Sequence, residues 1–189
     1  MNHLALFASG SGSNVENIIN YFHKNSSIKV EVIICNNKNA YVIERCKRLK
    51  IPYQVINNKS ISSNKLLFLL QSKKITHIIL AGYLKLIPKI IIENYRNKIL
   101  NIHPALLPKF GGKGYYGNYV HQRVLESNEK KSGITIHLVN QKYDDGKILF
   151  QKKTKLKSGE TIKSLSEKIH QLEHEYFPQI IEKYILNKL

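Results

Sequence analysis

Apolar and polar positions along the chain fall into short, regularly punctuated runs. HLALFA (3–8) and KVEVIIC (29–35) are rich in β-branched residues and predict strands. YQVIN (53–57), THIILA (76–81) and KILNI (98–102) follow in the same style. Between them, apolar residues recur at helical spacing over Val15 to Phe22, Tyr41 to Leu49, Lys65 to Gln71 and Ile87 to Asn94. This β-α-β-α alternation predicts a parallel sheet with helices on both faces. Strands that read as unbroken apolar runs fit burial on both sides. The pattern then changes. YVHQRVLES (119–127) is helical, and GITIHLV (133–139) and ILFQKKTKL (148–156) are strands around the turn NQKYDDGK. That pair predicts a hairpin that completes the sheet in mixed fashion. Thr161 to Leu186 reads as a long closing helix, with Pro178 expected to bend or split it. Low complexity is confined to FGGKGYYGN (110–118), and no repeat or linker is visible. The expected architecture is one α/β domain over 1–189, a three-layer α/β/α arrangement. Its sheet is expected to be twisted and mostly parallel, with an antiparallel C-terminal strand.

Composition narrows the class. A chain of 189 residues with 42% hydrophobic content suits one domain with a sizeable core. No run approaches the roughly 20 apolar residues of a membrane span. The N-terminal HLALFASGSGS lacks a basic leader and breaks into glycines, so we expect an unexported, cytoplasmic protein. Cys35 and Cys46 form no CxxC pair and are expected to be reduced and inert. The formal charge of +17 invites a nucleic-acid reading, but 26 of the 30 basic residues are lysines, spread without an aromatic-studded stripe. With many Asn and Ile, this is the signature of an AT-biased genome. It reads as compositional drift on a solvated surface, which still steers anionic small molecules inward.

Two stretches carry candidate chemistry. ASGSGSN (8–14) lies between the first strand and the first helix. Small residues there let backbone approach a ligand, and the helix offers N–H groups to an anion. The GK[ST] of a P-loop is missing. Val15 stands where a dinucleotide fingerprint needs its third glycine, and the second strand ends in Cys35-Asn36-Asn37 rather than an acid. What remains is a site for one phosphate, or a tight turn with Ser13 or Asn14 as helix cap.

The second stretch is LNIHP. A buried strand finishes in Asn101 and His103, two apart and so on one face, and Pro104 stops it. Ligands of open α/β sheets bind at strand carboxyl ends. An amide donor for an oxyanion and a group that exchanges protons near neutral pH are what acyl transfer requires. The alternative is a satisfied polar strand end, with Asn101 capping a turn and His103 bonding a carbonyl. YDDG (143–146) adds two carboxylates in a turn.

LNIHPALLPKF resembles the signature of the phosphoribosylglycinamide formyltransferases. So do ALFASGSGSN, ILAGYLKLIP (79–88), GITIHLVNQKYDDGKILFQ (133–151) and LEHEYFP (172–178), in order over nearly the whole chain. N-I-H-P alone marks the wider folate formyltransferase superfamily. The resemblance implies formyl transfer from 10-formyltetrahydrofolate, as co-substrate, to the amino group of glycinamide ribonucleotide, without a metal. Asn101, His103 and Asp144 match the catalytic residues. Gly12, Ser13 and Asn14 match the cradle of the ribonucleotide phosphate, and Glu173 the carboxylate that contacts glycinamide. Leu84, Leu86 and Ile87 match the folate pocket, to which Asn101 also contributes, and Lys85 stands where the family often has Arg. By the same resemblance Asp144 holds His103 and raises its pKa. The glycine-rich 110–118 segment is expected to be a flap near the folate, and Lys59 or Lys65 could meet the folate tail. His121, after the flap, is expected to face the site, and His137 to be structural. His170 and His174 have the spacing of a metal pair but lack a third ligand. A methionyl-tRNA formyltransferase would carry a further C-terminal domain, and a formyltetrahydrofolate hydrolase an N-terminal one. Neither is expected here, and neither is a basic nucleic-acid-binding module. A monomer or homodimer is expected, with no membrane partner.

Overall fold

The computed structural model describes residues 1–56 and 62–189, which form two compact units, Met1–Leu100 and Asn101–Leu189. The first unit contains β1 (Asn2–Ala8), α1 (Ser13–Phe22), β2 (Ile28–Cys35), α2 (Val42–Leu49), β3 (Tyr53–Val55), α3 (Ser63–Ser72), β4 (His77–Leu80) and α4 (Lys89–Asn94). Strand β5 (Ile99–His103) runs through the boundary. The second unit holds α5 (Asn118–Glu126), β6 (Lys131–Leu138), β7 (Ile148–Lys155) and α6 (Ile162–Ile185).

In the first unit the strand order is β3-β2-β1-β4, followed by the start of β5. The β1–β2, β1–β4 and β2–β3 pairs are parallel. β1 is central, and Leu4 to Ala8 are all fully buried. Side chains of both parities are covered, which is why this strand reads as a continuous apolar run. Its register on β2 shifts between Leu4 and Ala5. Val15, Ile18, Ile19 and Phe22 make the buried stripe of α1, at the spacing of one helix face. Each such side chain contributes about 1.5–3 kcal/mol on burial.

In the second unit the end of β5 is followed by β6 and then β7, with β6 and β7 antiparallel. β6 is buried from Ser132 to Leu138, whereas β7 contains only half-buried and exposed residues, as an outer strand does. The chain is thus an α/β protein with a mostly parallel sheet and an antiparallel C-terminal strand.

Three expectations are corrected. Neither Ser13 nor Asn14 caps α1: the N-cap is Gly12, left-handed at φ 76. A Cβ at Gly12 would lie 2.4 Å from Val42 Cγ2, so this backbone leaves room for hydrogen alone. α4 begins at Lys89 rather than Ile87, because a residue before proline is disfavoured in the helical region and Pro88 forms the N-cap. α6 is not split. Thr161 and Ser164 start it with a reciprocal capping box, and Pro178 lies inside one continuous helix. Leu165, Ile169, Phe177, Ile181 and Ile185 are buried along its length, which offsets the backbone bond that proline cannot make. The strand expected over 53–57 is seen as Tyr53–Val55, and its last expected residue lies outside the described ones. Among the described residues no helix is long and apolar enough to cross a membrane.

Candidate active site

The polar end of β5 is organised by a carboxylate. Asn101 is half-buried and His103 is 3% exposed, in the last turns of a strand whose other residues are apolar. Asp144 sits in the β6–β7 turn with φ 53, a left-handed conformation that an acidic residue tolerates better than most. Its Oδ2 accepts a hydrogen bond from the Gly112 N–H at 2.9 Å and lies 3.5 Å from His103 Nδ1. Its Oδ1 lies 3.5 Å from Asn101 Nδ2 and 3.6 Å from His137 Nε2. Burial works against the charge on Asp144. The neighbouring imidazoles of His137 and His103 and the Gly112 N–H outweigh it and hold the carboxyl below its usual range.

His103 shows the opposite balance. Burial dominates and lowers its pKa below the ordinary imidazole value, against the pull of Asp144 and the Phe110 carbonyl. The expectation that Asp144 raises the His103 pKa is right for that one influence and wrong for the sum. Phe110 O accepts from His103 Nε2 at 2.7 Å, so Nε2 carries the proton.

His137 belongs to the same cluster, which its sequence position did not suggest. Its Nδ1 donates to the Leu138 carbonyl at 2.8 Å, because a carbonyl can only accept. Its Nε2 is then an acceptor, and Asn101 Nδ2 donates to it at 3.1 Å. One amide hydrogen of Asn101 is thereby committed and the amide plane is fixed, and the other reaches Asp144 Oδ1 in a long bond of 3.5 Å. Gly146 closes the arrangement: a Cβ there would lie 1.7 Å from Leu138 O, the acceptor for His137. Thr135 and Gln151 hold the chain just after β5. Thr135 Oγ1 donates to Ala105 O at 2.7 Å and accepts from Leu107 N at 3.0 Å, and Gln151 Nε2 donates to Leu107 O at 2.9 Å. Isolated polar residues in a hairpin gave no sequence signal of this buried network.

Glu173 is buried on α6, and its Oε2 lies 3.0 Å from His170 Nδ1. This bond raises the His170 pKa. The charge of Glu173 reaches His103 and His121. His121 is buried on α5 and its pKa is lowered, chiefly by that burial. Among the described residues no group of three His, Cys, Asp or Glu is placed to hold a metal.

In the first unit, Gly12, Ser13 and Asn14 lie at the start of α1. The loop is tied to the segment after β4: Ser9 N donates to Gly82 O at 3.0 Å, and Leu84 N donates to Ser9 Oγ at 2.9 Å. Leu84, Lys85 and Leu86 are exposed there and Ile87 is buried. Lys65 is exposed in the first turn of α3, and Lys59 lies outside the described residues.

Residues 2–181 match the formyl transferase family. The phosphoribosylglycinamide formyltransferase of Bacillus subtilis is 32% identical, over 98% of this chain and 95% of its own. The chloroplastic enzyme of that name from Arabidopsis thaliana is 37% identical over 94% of this chain, which spans only 63% of that relative. It likewise spans 59% of the Vigna unguiculata relative. The crystal structure of glycinamide ribonucleotide transformylase 1 from Symbiobacterium toebii superposes with a TM-score of 0.90 at 28% identity, over 99% of this chain and 89% of that one. The chain belongs to the phosphoribosylglycinamide formyltransferases, a branch of the formyl transferase family.

Proposed function

We propose that the chain transfers the formyl group of 10-formyltetrahydrofolate to the amino group of N1-(5-phosphoribosyl)glycinamide. The products are formylglycinamide ribonucleotide and tetrahydrofolate, in purine biosynthesis in the cytoplasm. The carrying observation is one carboxylate, Asp144, set 3.5 Å from both His103 Nδ1 and Asn101 Nδ2. The amine attacks the formyl carbon and the carbonyl electrons move to oxygen. Asn101 turns the amide hydrogen of its long 3.5 Å bond to Asp144 onto that oxyanion. His103, kept neutral by burial, takes the proton of the attacking nitrogen. Asp144 stays ionised and stabilises the resulting imidazolium. The proton then passes to the folate nitrogen as its bond to the formyl carbon breaks and the carbonyl re-forms. The nitrogen that exchanges protons is Nε2, so when substrate enters its bond to Phe110 O must give way and the imidazole proton must move to Nδ1, where Asp144 accepts it.

The remaining roles follow the family match. Gly12, Ser13 and Asn14 receive the ribonucleotide phosphate, Glu173 the glycinamide, and Leu84, Lys85, Leu86 and Ile87 the folate. The 1–100 half would serve the phosphate, and the 101–189 half the chemistry. No metal takes part in this scheme.

The test is to follow loss of the formyl donor by absorbance, with and without the ribonucleotide. Turnover that needs the ribonucleotide is expected. Formyl loss without it would identify a hydrolase. Loss that needs aminoacylated tRNA instead would assign the tRNA enzyme. Within this scheme His137→Ala removes the acceptor that fixes Asn101. It is expected to lower kcat about tenfold, roughly one hydrogen bond's worth, with KM for the ribonucleotide within about twofold. Unchanged kcat would mean that Asn101 is held by other means.

A further inference from the structure

The loop between β1 and α1 is braced from behind by α2. Val42 N donates to Gly10 O at 3.1 Å. Arg45 Nε donates to Ser11 O at 2.9 Å. A trans peptide is planar, with its C=O and the next N–H pointing in opposite directions. Two consecutive carbonyls drawn toward α2 therefore turn the N–H groups of Ser11 and Gly12 away from it. Val42 does its part through the backbone, whereas the second carbonyl depends on one side chain.

Arg45 is itself fixed from three directions. Beyond Ser11 O, its Nη1 pairs with Glu16 Oε2, while Arg48 takes the other oxygen of that carboxylate. Its guanidinium also lies 5.1 Å from the centre of the Tyr41 ring. Glu16 stands in the first turn of α1, where its charge would repel an anion at that helix start, and the two arginines cover it. Lysine has no planar fork that could serve the carbonyl and the carboxylate together.

We infer that Arg45 is a positioning residue for the anion-binding loop, setting affinity for the substrate's phosphate by aiming the Ser11 and Gly12 N–H groups without touching the phosphate. This rests on the proposed phosphate role of residues 12–14.

The experiment compares ribose 5-phosphate with ribose as inhibitors of the wild type, then repeats steady-state kinetics on variants. Arg45→Met is expected to raise KM for the ribonucleotide about tenfold and the inhibition constant of ribose 5-phosphate in parallel, with kcat and the donor KM within about twofold. Arg45→Lys is expected to recover part of that loss. Tyr41→Leu, a milder change, is expected to give a smaller shift of the same sign, and it keeps the test open if Arg45→Met does not fold. If ribose 5-phosphate and ribose inhibit the wild type equally, the phosphate reading of the loop fails first. If the wild type discriminates them and the ribonucleotide KM is unmoved in the folded variants, the role of Arg45 is overturned. A fall in kcat alone overturns it as well.

Discussion

His103→Ala is expected to lower kcat about a thousandfold while the protein remains folded, within the usual range for loss of a general acid–base group. The side chain is 3% exposed but its polar contacts go to one backbone carbonyl and one carboxylate, so its removal deletes proton exchange more than packing. The pH profile carries a second readout. The base works when neutral, and burial lowers its pKa below the ordinary value near 6.5. The acid limb of kcat/KM should therefore lie below pH 6.5 in the wild type and vanish with the imidazole. Wild-type turnover in His103→Ala would sink the mechanism.

Asp144 is expected to give an effect of the same order, and two variants separate its roles. Asp144→Asn keeps the shape, an acceptor for the Gly112 N–H and a residue type that tolerates φ 53, but it removes the charge. It is expected to lower kcat about a thousandfold with little loss of stability, by analogy with other histidines deprived of a carboxylate. Without a nearby anion the His103 pKa falls further, so the acid limb should move to lower pH. Asp144→Ala adds strain of about 1–2 kcal/mol from a non-glycine residue left in the left-handed region, and its melting temperature should drop. An acid limb that stays put in Asp144→Asn would show that the carboxylate does not act on His103.

The chain makes some of this legible and hides the rest for physical reasons. Strands β1, β2 and β5 were readable because β-branched residues cluster wherever a strand is covered on both faces. Asn101 and His103 stood out because polar residues interrupt such a run just before a proline. His137 hid in the same circumstance reversed. β6 is buried from Ser132 to Leu138, so alternation along it says nothing about which face looks where. Ser13 and Asn14 are good capping residues by type, but close approach of Val42 leaves room only for Gly12 at the cap of α1. Pro178 reads as a break only if a helix stands alone, and this one is packed along its length. The sign of the His103 shift could not be read either, since burial is a property of the folded surroundings and not of a motif.

The missing side chain at Gly146 makes the hairpin an inseparable module. Leu138 O must stay where it is to receive His137, and that is possible only while nothing larger than hydrogen stands at 146. A turn transplanted from another formyltransferase, or redesigned for a different donor, would have to bring positions 137, 138, 144 and 146 together. Exchanged singly, each would arrive in a frame cut for its former neighbours. The exposed Lys153 and Lys155 of β7, by contrast, can be exchanged without touching this frame.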